Sequence, residues 1–486
     1  MKSNENAIVR KISLQDYGTF LSVYYGKGSI SIIDGSGEKT HQCSFEVGQR
    51  DDGDIILLCR NIPAGFSFFF RFGMQAKKFH GETDEGYSIK SNESENFLQL
   101  RYLKPPENWL YDDNLALRIS ELSLKFSEEP CHEIHFGLCN FQFDEEDVIE
   151  NEMESDKVII PLTEQEKVEI QFKKIRDYNE TINRISILGT INVTCELILK
   201  ITDCKNLENL VEFVDDICFL LSIKKGTKVS WIYYDICDNS GKTIFKKHAS
   251  KVTKNYQPLD IFYFKDPHGF QTKKFLEQSY PHYIKNRDRL KLNRGVIDTY
   301  LDAKAENDFI ETRAGKIALT IEFLKNEFLV SKGKDSEYVS PSYDFKNMTP
   351  TLSAAMITAL KLQGVVEPEI FRSIANEKKI EGLNRRSFGN ILREIIKEFH
   401  VNVSSKEITL FIRCRDSLVH RGNFYCKTCQ PEEMQECEPL PSYMFEYFFM
   451  VNILDRIFLS ILGLDDKQIR IDWRKPPQKI ADWLKD

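Results

Sequence analysis

The spacing of apolar residues changes period partway along the chain, and this limits the fold more than any other feature. Up to about Leu290 the apolar residues come in short runs broken by Gly, Asn and Asp; beyond it they recur every three or four residues. The first pattern belongs to strands and the second to amphipathic helices. A chain of 486 residues exceeds what one core usually holds, so two or three domains are expected. The expected fold is a multidomain α+β protein. A large β-rich N-terminal domain spans 1–289, with an internal break near 150–185 that would divide it into two subdomains. An all-α helical bundle spans 290–486.

In the first part, residues 29–33 read as a strand running into the turn Asp34-Gly35-Ser36-Gly37. Segments 54–60 and 66–71 are further short strands, and the acid-rich segment 144–156 reads as a solvated loop. Residues 191–201 are strand-like. Leu207, Leu210, Val211, Val214, Ile217, Cys218 and Leu221 then recur at helical spacing, with Gly226 placed to cap the helix. Segments 229–237 and 243–248 flank Asn239-Ser240-Gly241 as a hairpin. A Pro- and aromatic-bearing stretch, 256–283, leads to the second part.

There Ile310, Ile317, Ile321, Leu324 and Phe328 share one face of a long helix. Thr349-Pro350 has the form of an N-cap followed by proline at the first helical position, opening a helix that stops near Gly364. Ser387 caps a helix carrying Phe388, Ile391, Leu392, Ile395, Ile396 and Phe399 on one stripe. Ser404 and Glu407 form a capping box for the next helix, which ends at Gly422. The last long helix covers 442–463. About five helices with short connections make a bundle.

Composition excludes several classes. Hydrophobic content of 41% with 29% charged residues describes a globular chain, not a disordered one. A net charge of -8 argues against a protein that coats nucleic acid, although a local basic cleft remains compatible with it. Residues 1–6 have no apolar core of the kind a signal peptide needs. The most apolar stretch, 445–462, contains Glu446, Asn452, Asp455 and Arg456, so a core helix is expected and no membrane contact. Most of the twelve cysteines sit singly in apolar runs, as reduced core thiols do. A cytoplasmic protein is therefore expected.

The helix from Lys406 to Gly422 concentrates the chemistry. It reads Lys-Glu-Ile-Thr-Leu-Phe-Ile-Arg-Cys-Arg-Asp-Ser-Leu-Val-His-Arg-Gly. Arg415 is followed directly by the polar Asp416 and, after four intervening residues, by His420. Histidine accepts and donates protons near neutral pH. Arginine offers fixed positive charge with bidentate geometry for phosphate oxygens. Together they suit metal-free RNA cleavage, in which the 2′-hydroxyl attacks the neighbouring phosphate. Taken alone, His420 also reads as a helix-end residue set against the negative end of the dipole.

This arrangement resembles the signature of HEPN ribonuclease domains: an Arg, a polar residue after it, and a His four to six residues on. His420-Arg421-Gly422 is similar to the usual ending of that helix. The resemblance implies an endoribonuclease giving 2′,3′-cyclic phosphate and 5′-hydroxyl products, with no cofactor for catalysis. At about 100° per residue, Arg415 and His420 lie roughly 140° apart, whereas Asp416 and His420 lie about 40° apart. Arg413 is almost directly below His420, two turns earlier. Arg413, Asp416 and His420 thus form the tightest stripe, and Arg415 joins it through its long side chain or across a partner subunit. The family's homodimers, in which two such helices face one another, imply a composite site, with higher oligomers as an extension. Arg415, Asp416 and His420 are the catalytic candidates; Arg413, Arg421 and Glu322 are supporting ones.

The whole chain resembles ApeA-type antiphage proteins, which join a large β-rich N-terminal domain to a C-terminal HEPN nuclease. The stretch from Asn206 to Trp231, with a helix ending in Leu220-Leu221-Ser222 and a strand after it, is similar to the late part of that N-terminal domain. Glu311-Thr312-Arg313 through Glu322-Phe323-Leu324 is similar to the first HEPN helix. The resemblance implies phage-triggered cleavage of cellular RNA, with tRNA as candidate substrate and a phage protein as candidate trigger. The N-terminal domain would sense the trigger or restrain the nuclease. The alternatives are a non-catalytic HEPN protein that binds RNA or acts as a scaffold, the toxin of a toxin–antitoxin pair, and a zinc-dependent enzyme.

Beyond the motif, Cys426-Lys427-Thr428-Cys429 and then Cys437 lie in an insert over 423–440. A CxxC pair suits tetrahedral structural zinc. Cys414 and His400 are candidate fourth ligands, and a reducible thiol pair is the plainer alternative. Cys131-His132-Glu133-Ile134-His135 and Cys139 look metal-like, but a strand there would turn His132 and His135 to opposite faces. Lys378, Lys379, Arg385 and Arg386 are candidates to contact RNA phosphates, with a solvated surface as the alternative.

Overall fold

The computed structural model describes residues 13–34, 37–62, 75–91, 98–99, 115–143, 157–161, 167–188, 192–200, 207–250, 263–264, 271–305, 308–333, 345–365, 368–369, 384, 386–430, 439–464 and 469–470. The chain divides into two compact units. One holds Met1–Asp260 with Pro267–Glu277, and the other holds Ile261–Asp266 with Gln278–Asp486. The protein is multidomain α+β, with a large N-terminal antiparallel sheet and C-terminal helices.

The strands of the first unit are β1 (Phe20–Asp34), β2 (Gly37–Arg50), β3 (Ile55–Arg60), β4 (Gln75–Thr83), β5 (Ser88–Ser91), β6 (Leu98–Gln99), β7 (Leu115–Ile119), β8 (Glu121–Lys125), β9 (Glu133–Cys139), β10 (Lys157–Pro161), β11 (Lys167–Lys174), β12 (Val193–Lys200), β13 (Ser230–Cys237) and β14 (Thr243–Ala249). They form one sheet in the order β10-β11-β12-β9-β13-β14-β8-β5-β4-β1-β2-β3-β7-β6. Strands β7 and β8 are separated by Ser120 alone, yet β7 pairs with β3 and β6 while β8 pairs with β14 and β5. The stretch from β8 to β7 is therefore rolled back on itself. Its inner face buries Ile30, Phe45, Val47, Leu57, Phe79, Leu117 and Leu124 in one cluster. Each such side chain contributes about 1.5–3 kcal/mol by leaving water. Gly28 and Gly81 are register partners where β1 crosses β4. A Cβ on Gly28 would lie 2.5 Å from the His80 carbonyl oxygen, so only glycine fits.

Gln49 of β2 ties the roll together. Its Nε2 donates to the Ile232 carbonyl of β13 at 2.7 Å and to the Ala249 carbonyl of β14 at 3.2 Å. Its Oε1 then accepts from His248 Nδ1 at 2.7 Å, which leaves His248 Nε2 to accept from the Tyr24 hydroxyl at 3.3 Å. Burial, helped by Lys246, pushes His248 down to about 3, so the ring is neutral. Helices α1 (Tyr178–Leu188) and α2 (Leu207–Lys225) accompany the other half of the sheet. Helix α2 buries Phe213, Val214, Ile217, Leu220 and Leu221 and ends at Gly226 with φ 63°. Trp231 Nε1 donates to Asp215 of α2 at 2.8 Å.

The remaining helices are α3 (Gln271–Arg287), α4 (Ile297–Asp302), α5 (Ile310–Ser331), α6 (Phe345–Leu362), α7 (Phe388–Glu398), α8 (Ser405–Arg421), α9 (Tyr425–Thr428) and α10 (Tyr443–Ile461); β15 (Tyr263–Phe264) pairs with β16 (Ile469–Arg470). Helix α10 is extensively buried in the helical unit. It buries Tyr447, Met450, Leu454, Ile457, Phe458 and Ile461 together with Glu446 and Asp455. Lys304 Nζ lies 2.7 Å from both Asp455 Oδ1 and the Tyr300 hydroxyl. Arg313 Nη2 donates to the Tyr447 hydroxyl at 2.6 Å, and that hydroxyl donates to the Ala303 carbonyl at 2.9 Å. Among the described residues, no helix is long and apolar enough to cross a membrane.

Several local expectations change. Helix α6 begins at Phe345, so Pro350 sits inside it. Thr349 is not a cap: its hydroxyl donates back to the Phe345 carbonyl at 3.4 Å, within the helix. Strand β1 starts nine residues before the expected 29, and α3 forms within the stretch read as a connection, with Pro281 inside it. Among the described residues nine cysteines are free thiols, but Cys131 takes part in a disulfide. His132 is exposed just before β9, and His135 pairs with Glu133 at 3.2 Å. Segments 66–71 and 144–156 lie outside the described residues.

Candidate active site

Helix α8 is bounded as its sequence dictates. Ser404 Oγ accepts from the Glu407 N–H at 3.2 Å, and Glu407 Oε2 accepts from the Ser404 N–H at 2.6 Å. At the other end Gly422 takes φ 66°, and its N–H reaches the Leu418 carbonyl at 3.2 Å. Ile408, Leu410, Phe411 and Cys414 are buried. The functional candidates occupy the remaining face and the last two turns.

Arg415 is held from three helices. Nη1 donates to Asp416 Oδ1 at 2.7 Å, on its own helix. Nη2 donates to Glu322 Oε1 of α5. Its Cζ lies 4.6 Å from the ring centroid of Phe388, the first residue of α7, a cation–π contact worth about 0.5–2 kcal/mol. The Arg415 side chain is 11% exposed, Glu322 22% and Asp416 44%. Arg415 Nε is buried without a hydrogen-bond partner. Lys325, one turn on, ion-pairs with Glu322. The guanidinium is thus oriented and largely neutralised by two carboxylates.

His420 is exposed in the last turn of α8, next to the exposed Val419. Arg421 Nη1 donates to the Thr428 carbonyl at 2.9 Å, fastening the helix end to α9. Ser417 Oγ does the same from inside, donating to the Asn423 carbonyl at 2.8 Å beside the Thr428 hydroxyl at 2.6 Å. Arg413 is half-buried. Of the basic residues upstream of α7, Arg386 ion-pairs with Glu394 at 3.6 Å. Lys378, Lys379 and Arg385 lie outside the described residues.

The cysteine insert is organised by a carboxylate. Glu446 of α10 is fully buried and accepts the N–H groups of Tyr425 at 2.7 Å and Cys426 at 2.9 Å. The thiols of Cys426 and Cys414 also donate to it. Burial, and then the charge of Glu446, push the Cys426 thiol up to about 12. Cys429 is partly exposed and donates to the Gln430 carbonyl at 3.5 Å. His400, the other candidate fourth ligand, is exposed past the end of α7. Cys437 lies outside the described residues. Among the described residues, no group of three or more His, Cys, Asp or Glu side chains is placed to hold a metal ion.

Glu322 joins Arg415 although the two are 93 residues apart. Phe388 and Glu446 were not legible as parts of this site. Phe388 heads an apolar stripe and reads as plain core. Glu446 stands out as a lone carboxylate in the most apolar segment, but the N–H groups it accepts belong to a different helix. The chain matches no protein-family model, no curated protein and no solved structure.

Proposed function

We propose that the helical unit is a HEPN-type endoribonuclease whose site is built on Arg415, Asp416 and His420. The observation that carries the reading is the placement of Arg415 by Asp416, Glu322 and Phe388, one and a half turns before an exposed His420. In the reaction, the 2′-oxygen bonds to phosphorus as the bond to the 5′-oxygen breaks. One imidazole accepts the 2′-proton, another donates to the departing 5′-oxygen, and arginine offsets charge on the phosphorane oxygens. The products are a 2′,3′-cyclic phosphate and a 5′-hydroxyl, and no metal takes part in the chemistry.

A second copy of α8 supplies the second imidazole. Leu319 and Phe323, exposed on either side of Glu322, and Val419 beside His420 form the apolar surface it would cover. The grip of Glu322 and Asp416 on Arg415 corresponds to a resting enzyme. Cellular RNA, with tRNA as candidate, is the substrate, and a phage component acting through the β-rich unit is the candidate trigger of a defence response.

A non-catalytic RNA-binding role is the second reading. It is favoured by the fact that both Nη groups of Arg415 are taken up by carboxylates. Incubating the full-length protein with tRNA and total RNA in EDTA separates the two. The nuclease reading expects cleavage by wild type, cyclic-phosphate ends, and none with His420→Ala. Equal survival of RNA with both proteins overturns it.

A further inference from the structure

Helix α7 carries a groove that the motif does not use. It has a volume of about 300 Å³ and is lined by Arg386, Asn390, Ile391, Arg393, Glu394 and Lys397. Asn390, Arg393, Glu394 and Lys397 fall at i, i+3, i+4 and i+7, so they share the helix face opposite the buried Leu392, Ile395 and Ile396. Three cations and one carboxylate meet there, although the whole chain carries a net charge of -8. Arg386 partly offsets the one carboxylate, Glu394, at 3.6 Å. Among the described residues, Arg393 and Lys397 have no carboxylate partner. Their backbone positions stand one turn apart, about 6 Å along the helix.

The groove connects to α8 through a glycine. A Cβ on Gly389 would lie 3.2 Å from Arg393 Nη1 and 3.0 Å from Ile412 Cδ1. Arg393 is therefore laid around the flank of α7 toward Ile412. Ile412 precedes Arg415 and Asp416 by one turn of α8. The same helix, α7, places Phe388 against Arg415. A strand following Arg393 and Lys397 around α7 is led toward the arginine of the motif.

We propose that Arg393 and Lys397, with Arg386, form a phosphate-binding groove that holds the backbone of single-stranded RNA beside the Arg415–His420 site. The proposal rests on the reading of that site as one that acts on RNA. The recognition is electrostatic and sequence-independent: cations and an Asn amide face phosphate oxygens, and among the described residues no aromatic side chain lines the groove to read bases.

The test is binding of fluorescein-labelled oligouridine to full-length His420→Ala protein in EDTA, followed by anisotropy over a salt series. Arg393→Ala with Lys397→Ala is expected to weaken binding roughly tenfold and to lower the slope of log affinity against log salt by about 1.4. Arg393→Gln with Lys397→Gln, which keeps the aliphatic stems, should do the same at unchanged melting temperature. Glu394→Gln should tighten binding. Lys285→Glu, with the same change in net charge as the alanine pair but at an exposed position of α3, should leave binding near the parent value. The proposal is overturned if the pair variants bind like the parent or lose no more than Lys285→Glu. A wild-type protein that leaves RNA intact while binding still depends on Arg393 and Lys397 defeats the nuclease reading and leaves the groove standing. Cleavage with binding indifferent to both residues defeats the groove alone.

Discussion

The carboxylate of Glu322 on α5 pairs with the guanidinium of Arg415 on α8, while Asp416 takes the other Nη at 2.7 Å. Two anions therefore face one cation that is 11% exposed. Replacing Glu322 by Gln keeps the shape and removes one negative charge. RNA affinity, measured in a His420→Ala background, should rise severalfold as phosphate no longer competes with Glu322. The amide oxygen still accepts from Arg415, so stability should fall by only about 1 kcal/mol, the difference between a charge-assisted and an ordinary hydrogen bond. Unchanged or weaker RNA binding would show that the pair does not hold Arg415 in reserve.

Ser404 begins the motif helix. Its hydroxyl accepts from Glu407 N–H while Glu407 accepts from the N–H of Ser404. Ser404→Ala should cost about 1 kcal/mol, and Ser404→Asp should cost little, since aspartate accepts the same bond and favours the positive end of the dipole. Urea denaturation of the two variants checks this. Equal losses would mean that tertiary packing alone sets where α8 starts.

Lys304 and Asp455 form an ion pair that is almost entirely out of water, with Tyr300 as third member. Burial raises the Asp455 carboxyl and lowers the Lys304 ammonium, each opposed by the other's charge. Asp455→Asn leaves the lysine buried without its counter-ion and should destabilise the helical unit by about 3–5 kcal/mol. Lys304→Met combined with Asp455→Leu should recover most of that loss. A single variant that loses less than the double one contradicts this account.

His248 makes the β-rich unit sensitive to acid. Burial holds its ring down at about 3 in the folded chain, below the ordinary histidine value of 6.5. Between these values the unfolded chain binds a proton that the folded chain refuses. Stability is therefore complete above about pH 6.5 and is lost as pH falls toward 3. The melting temperature of the wild type should drop across this window. His248→Asn should start lower at pH 8 and drop less. A parallel pair of pH profiles would assign the acid sensitivity to other groups.

The local features of the fold were legible because their causes are local. The Ser387 and Ser404 caps, the Gly226 and Gly422 ends and the 230–249 hairpin depend on residues within a few positions of one another. Thr349-Pro350 misled because proline is tolerated inside α6, five residues after its start, where the threonine hydroxyl bonds back instead of capping. Long-range relations were not legible. Gln49 and Ile232 are 183 residues apart, and no periodicity records that β2 closes on β13. At the site, α8 could be read as far as the identity and phase of Arg415, Asp416 and His420. Glu322 is legible as a supporting residue, but its pairing with Arg415 could not be read, because no local spacing links residues 93 positions apart on different helices.

The roll of the sheet has a consequence for biosynthesis. Strand β8 is bordered by β5 on one side and by β14 on the other, so that junction waits until residue 249 has left the ribosome. Helix α8 begins at Ser405. At roughly 5–20 residues per second, a nascent chain has on the order of 10–30 s to complete its sheet before the arginine–histidine helix exists at all. Each chain thus makes the Arg415–His420 helix only after its β-rich unit has had time to fold.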